Sequence, residues 1–252
     1  MAAIQTASGS SSNINGDITN HPVVSRDEWT AARTAFLARE KEFTRLRDDL
    51  SRQRRELPWV KVDKAYLFDT ANGTQTLADL FEGRSQLFVQ HFMFGPNSEA
   101  GCVGCSFWAD NFDGNGVHLN HRDVTFVAVS RAPLSKLDAF KKRMGWGFNW
   151  VSSGRSDFNY DYQASFKPDD IANGTAIYNY ERKAKVPEDL PGVSVFYKDA
   201  SGAIFHTYST YARGIDILNS AYNCLDLVPK GRDEDALPQA AAWLRHHDRY
   251  DV

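Results

Sequence analysis

The chain has 252 residues, 42% hydrophobic and 24% charged, with a net charge of -3 and a pI near 6.2. This is globular composition, long enough for one sizeable core with appendages, and without a long Lys/Arg run it argues against a nucleic-acid partner. No stretch approaches the ~18 uninterrupted apolar residues of a membrane helix, and three cysteines make a poor disulfide framework, which predicts a soluble chain in a reducing compartment, the cytoplasm.

Residues 1–22 are rich in Ser, Asn and Gly, carry no signal-peptide pattern and read as a disordered tail. Ser25 and Glu28 then have capping-box spacing, and apolar residues recur at Trp29, Phe36, Phe43 and Leu50, with Ala32 and Leu46 between. The spacing predicts an amphipathic helix over 23–57, ended by Pro58 and packed on its own domain; the alternative is a contact between two copies of the chain. Tyr66 to Phe68 reads as a short strand and Thr76 to Phe81 as a helical turn. Leu87 to Phe94 and Val124 to Val129 are near-continuous apolar runs, as in strands buried on both faces. Between and after them, helices are expected from about Cys102 to Asn111 and over Leu134 to Met144, the latter stopped by Gly145. Phe148 to Val151 is a further strand, and Ser152 to Pro168 shows no period.

Val193 to Tyr197 and Ile204 to Tyr208 flank a turn at Asp199 to Gly202 and read as a hairpin. Ile215 to Leu225 and Ala236 to Arg245 are expected to be helical. Strands alternating with helices, then a hairpin, predict an α/β fold: a mixed sheet with helices on both faces. One domain would span 23–252, with its core over 60–230 and a C-terminal helical segment over 231–252.

The chemistry-bearing feature is Cys102-Val103-Gly104-Cys105. A strand and a loop precede it, and Cys102 would open a helix. Free backbone N–H groups and the positive dipole end there favour a thiolate. Cys105, one turn on, lies within disulfide reach. This context makes Cys102 and Cys105 the candidate catalytic residues of a thioredoxin-like site. Two other readings stay open. Zinc would need about four ligands, with Cys224, His91 or His206 as distant additions, and two inert buried thiols are also common. Cys224 itself reads as a buried thiol, His91 as a satisfied core histidine, and His246 and His247 as solvated. No phosphate-binding Gly-rich loop is present, so no cofactor is expected.

Around this pair the sequence resembles a family of uncharacterised thioredoxin-like proteins, often labelled predicted dithiol-disulfide oxidoreductases. The resemblance rests on Gln90 to Pro96, Gly101 to Asp110, Glu56 to Trp59, Leu80 to Leu87, Ser130 to Pro133, Arg143 to Trp146, Trp150 to Ser153, His206 to Gly214 and Trp243 to Tyr250, and so covers nearly everything after residue 25. It implies a thioredoxin-like fold and a redox function, with a small-molecule or protein disulfide as substrate and a cellular dithiol as reductant. The element order looks like the peroxiredoxin branch. Yet the Pro-x-x-x-Thr-x-x-Cys pattern of ordinary peroxiredoxins is missing, since Asn97 to Gly101 precede Cys102. The Trp that commonly precedes the thioredoxin cysteine is missing too. The cis-proline that faces the cysteines in thioredoxin-like proteins would match Pro191; an ordinary trans-proline is the other reading.

Aromatics reach 13%, with six Trp. They fill a core or wall a pocket for a small organic ligand, with Trp108, Trp146 and Trp150 the candidates. By the period of two, His206 and Tyr208 would share one strand face, and Arg213 follows; facing the cysteines, these could give acid-base work and hold an anion. That group motivates the alternative of a non-redox isomerase or lyase acting on a small aromatic molecule.

Overall fold

The structure, a computed structural model, describes residues 21–251. The tail expected over 1–22 falls, but for its last two residues, outside them.

Helix α1 (Arg26–Arg55) starts with the expected capping box: Ser25 Oγ accepts from the Glu28 amide, and Glu28 returns to the Ser25 amide at 2.9 Å. Its stripe is not packed on the domain as expected, for no residue of α1 is buried. After it come β1 (Val60–Lys61), β2 (Leu67–Thr70), β3 (Gly73–Thr76), a 3-10 turn over Asp79–Phe81 and β4 (Gln86–His91). The next elements are α2 (Val103–Phe112), α3 (Gly116–His121), β5 (Val124–Ser130), α4 (Leu134–Met144) and β6 (Asn149–Ser152). The stretch without a period holds α5 (Phe158–Asp161); α6 (Pro168–Asn173) and a small hairpin of β7 (Ala176–Tyr178) and β8 (Glu181–Lys183) follow. The long hairpin is β9 (Gly192–Lys198) and β10 (Ile204–Tyr211). A 3-10 segment over Ala212–Leu218 then leads to α7 (Ser220–Leu225), capped by the Asn219 side chain.

The main sheet runs β1-β10-β9-β4-β5-β6-β2-β3. β4, β5 and β6 are parallel, while β9 lies antiparallel on the other side of β4. This is the mixed sheet expected, with helices on both faces, and β4 at its middle leads into the loop that carries Cys102. One face of β4 and β5 presents Leu87, Val89, Val127 and Val129 to Phe68, Leu80, Phe81 and Phe158. The other packs Ala128 and Trp150 with Phe92, Cys105, Ala109, Leu137 and Phe140 from α2 and α4. Burial on both faces is why these strands read as unbroken apolar runs. Gly145 ends α4 at φ 70, where a side chain would be strained.

The helix expected over Ala236 to Arg245 is instead a run of turns. Pro238 offers no amide to a helix. The Glu234 carboxylate gathers the segment by accepting from the Ala241 amide at 3.0 Å and from Trp243 Nε1 at 2.6 Å.

Candidate functional site

Cys102 is the N-cap of α2, and the path of the chain through it is fixed from both sides. Its amide donates to the Met93 carbonyl at 3.0 Å, and its carbonyl accepts from the Ser106 amide at 2.9 Å. Gly101 precedes it because a Cβ there would stand 2.8 Å from the Phe92 ring and 3.0 Å from Phe140. The core under the loop therefore leaves no room for the aromatic residue that thioredoxins place before the first cysteine.

The two sulfurs are free thiols in unlike settings. Cys102 is half-buried, and hydrogen bonding from the Cys105 thiol, joined by the Cys105 and Gly104 amides, lowers its pKa to about 6 although desolvation opposes this. Cys105 is 1% exposed and accepts from the Met93 amide at 3.3 Å. Burial pushes its thiol well up, and the neighbouring Cys102 and the Asp189 carboxylate push the same way. The arrangement favours one ready thiolate over a protonated, sheltered partner.

A cavity of about 380 Å³ opens beside Cys102, bounded by Met93, Ala100, Pro187, Glu188 and Asp189. Asp189 in its wall is held by a half-buried ion pair from Arg131 Nε at 2.9 Å, and Arg131 also donates to the Tyr160 hydroxyl at 2.9 Å. Asp189 accepts from Ser165 Oγ at 2.6 Å as well. Sequence reasoning passed over Arg131 and Asp189 as site residues; they lie 58 positions apart and only the fold joins them. It also missed His246, expected to be solvated. His246 Nε2 sits 2.9 Å from the Gly101 carbonyl with its ring edge-on to Phe140, so the C-terminal segment folds back onto the cysteine loop.

The sequence matches, over residues 18–250, the family described as "Bacterial protein of unknown function (DUF899)". The chain belongs to that family. No curated protein matches it. Among solved structures, a cysteine-to-serine variant of peroxiredoxin Q from Xanthomonas campestris is similar at 13% identity and TM-score 0.43, over 64% of this chain and 89% of that one. The peroxidoxin BcpB of Mycobacterium tuberculosis is similar at 10% identity and TM-score 0.43, over 66% and 96%. The mitochondrial 2-Cys peroxiredoxin of Plasmodium falciparum is similar at 13% identity and TM-score 0.39, over 66% and 91%.

In this DUF899 chain the expected site residues divide. Trp108 and Pro191 lie beside the buried cysteine: both border a small gap with Cys105, and Trp108 Nε1 donates to the Ile215 carbonyl at 3.0 Å. The peptide before Pro191 is trans. Trp146 and Trp150 do not border that gap. They are buried core, with indole N–H groups held by Asp110 at 2.7 Å and Ser130 at 3.0 Å. His206 and Tyr208 do not share a face. A β-bulge lies between them, so His206 pairs with Phe196 and Tyr208 with its neighbour Val195. His206 thereby falls on the sheet face away from α2, against Tyr162 and Phe196. Tyr208 lies under the Arg54 guanidinium, 5.0 Å from ring centre to carbon. Arg213 is a surface residue, its side chain 82% exposed and paired with Asp216. Cys224, expected to be buried, is exposed because it sits on the outer side of the short α7. Among the described residues no three His, Cys, Asp or Glu side chains converge as metal ligands, and no helix is long and apolar enough to cross a membrane.

Proposed function

We propose that this chain is a thiol-disulfide oxidoreductase in which Cys102 attacks and Cys105 resolves. The asymmetry of the two thiols carries the reading: one is lowered to about 6 at a helix N-terminus beside an open cavity, the other is raised and buried behind it. The Cys102 thiolate attacks one sulfur of a small-molecule or protein disulfide. That S–S bond breaks, and the departing thiolate takes a proton from solvent. Cys105 then gives up its proton and attacks Cys102 Sγ, releasing the second substrate thiol and leaving a Cys102–Cys105 disulfide. Two electrons have passed to the substrate, and a cellular dithiol restores the pair by the reverse exchange. Trp108 and the trans Pro191 back the buried sulfur, while the Arg131–Asp189 pair shapes the wall along which a substrate would lie.

The non-redox alternative needs His206, Tyr208 and Arg213 around one ligand. His206, half-buried, borders a cavity on the face away from α2, while Tyr208 lies under Arg54 and Arg213 is on the surface, so the three do not surround one ligand.

The test is the reduction potential of the pair, by thiol labelling in defined dithiol buffers on a Cys224→Ser background. A reversible two-electron couple within about -120 to -270 mV is expected. If no Cys102–Cys105 disulfide forms at any poise, the proposal fails.

A further inference from the structure

Helix α1 is about 45 Å long at 1.5 Å per residue, and no described residue buries its apolar stripe. Trp29 is 51% exposed, Phe36 56%, Phe43 65%, Leu46 65% and Leu50 54%. Four large side chains exactly seven apart on one helix, all facing water, are costly unless something covers them. Among the described residues the helix is tied to the domain at its C-terminal end, where Arg54 lies over Tyr208, and Trp59, just beyond, packs on Tyr197 and Phe205.

We infer that α1 pairs with α1 of a second copy of this chain as a parallel, in-register two-stranded coiled coil. Trp29, Phe36, Phe43 and Leu50 occupy one seam position of each heptad. Ala32, Arg39, Leu46 and Gln53 occupy the other. The repeat runs for more than three heptads, long enough for such a pair.

The flanking charges select both partner and direction. The residue before each of the four large seam positions is Glu28, Ala35, Glu42 and Asp49; the residue four after each is Arg33, Glu40, Arg47 and Arg54. In a parallel pair each of the first set meets the residue five positions on in the other chain. That brings Glu28 to Arg33 and Glu42 to Arg47, two opposite-charge contacts on each side; Asp49 and Arg54 have the same spacing, but at the domain end they are already engaged by Arg52 and Tyr208. An antiparallel pair would set the mainly acidic row against itself and the mainly basic row against itself. A helix seated on a basic or an acidic partner would leave one row unmatched. Self-complementarity is the property of an interface between identical chains. Arg39 is the one charge on the seam. It lowers stability and penalises shifted registers, while its stem covers apolar surface and its head reaches solvent.

The experiment is sedimentation equilibrium of the full chain at tens of micromolar, with two sets of variants. Wild type should sediment as a dimer. Phe36→Glu with Phe43→Glu should sediment as a monomer with unchanged cysteine-pair potential, since neither side chain supports the domain. For direction, Ala32→Cys in a Cys102→Ser, Cys105→Ser, Cys224→Ser chain should oxidise to a covalent dimer through its single thiol. A monomeric wild type overturns the inference, and so does a dimer that survives the Glu pair. A dimer that the Glu pair dissociates but that Ala32→Cys cannot lock overturns the parallel register.

Discussion

Gln90 and His91 are neighbours on β4 and look out of opposite faces of the sheet, and the two faces use their polar groups in opposite ways. On the α2 face, Gln90 Nε2 donates to the Cys105 carbonyl at 3.0 Å and steadies a helix start whose leading thiol is kept ionisable. On the other face, His91 Nε2 lies 2.8 Å from Ser194 Oγ, Ser194 lies 2.7 Å from Ser209 Oγ, and Ser209 lies 2.7 Å from His206 Nε2. Burial lowers the pKa of His91 to about 3, with His206 adding to the effect, and burial lowers His206 as well. One face thus favours a charge at Cys102. The other suppresses charge, although His206 borders a second cavity of about 360 Å³ with Tyr66, Tyr162 and Tyr211, and His91 Nδ1 has no hydrogen-bond partner among the described residues. A histidine chain is therefore no evidence of chemistry by its presence, since burial works against the charged form of both rings.

The sharpest way to break this comparison is to exchange the roles. Under disulfide-reduction assay, Cys102→Ser should fall to the rate of uncatalysed exchange. Cys105→Ser should accumulate a mixed disulfide on Cys102, detectable by mass. His206→Ala and Arg213→Ala should keep the turnover of wild type once any loss of stability is allowed for. Turnover that survives Cys102→Ser and disappears in His206→Ala would reverse the assignment of the two faces.

A smaller effect separates the two sulfurs. A thiol of pKa about 6 is mostly thiolate at pH 7, so the alkylation rate of Cys102 should level off above about pH 6 and fall tenfold per pH unit below it. The rate itself gains less than the thiolate fraction, because nucleophilicity drops with pKa at a Brønsted slope of about 0.4–0.5. The diagnostic is the midpoint, to be read by mass spectrometry of the reduced chain. Cys105 should stay unmodified through this range. A Cys102 midpoint near the ordinary ~8.5 of a free thiol would remove the contrast between them.

How far the sequence exposes each face follows from the range of the forces involved. The frame of β4, β5, α4 and the long hairpin is written in local periodicity, and Cys102 at the start of α2 follows from the strand, loop and pair that surround it. Trp146 and Trp150 belong to that frame too, although aromatic content alone could not separate wall from core. What fails are relations set by one inserted residue or by distant chain. The bulge at His206 and Tyr208 reverses a period-of-two argument without any Gly or Pro to announce it. The Arg131–Asp189 pair and the His246 contact to Gly101 join segments 58 and 145 positions apart. For α1 the repeat predicts an apolar stripe correctly, yet the same pattern serves a helix packed on its own domain, as α4 is, and one that stands clear of it.

The smallest effect tests whether the quiet face is as uncharged as its burial demands. His91 is fully buried against Phe158 and Tyr162, and among the described residues its Nδ1 has no hydrogen-bond partner. Its folded pKa of about 3 lies below the ordinary value of 6.5, so between those limits the unfolded chain binds a proton that the folded one does not. Stability must then rise with pH across that window and fall as the solution is acidified. At about 1.36 kcal/mol per unit, lowering the pH from 7 to 5 should cost about 2 kcal/mol through His91 alone. His206 adds a loss of the same sign. Urea unfolding of wild type and His91→Gln at the two pH values isolates the first contribution. The variant starts less stable, because a buried imidazole and its bond to Ser194 are gone, but its stability should decline less on acidification. Equal declines in the two proteins would mean that His91 takes up its proton inside the fold, and the two faces of β4 would no longer differ in the way their geometry requires.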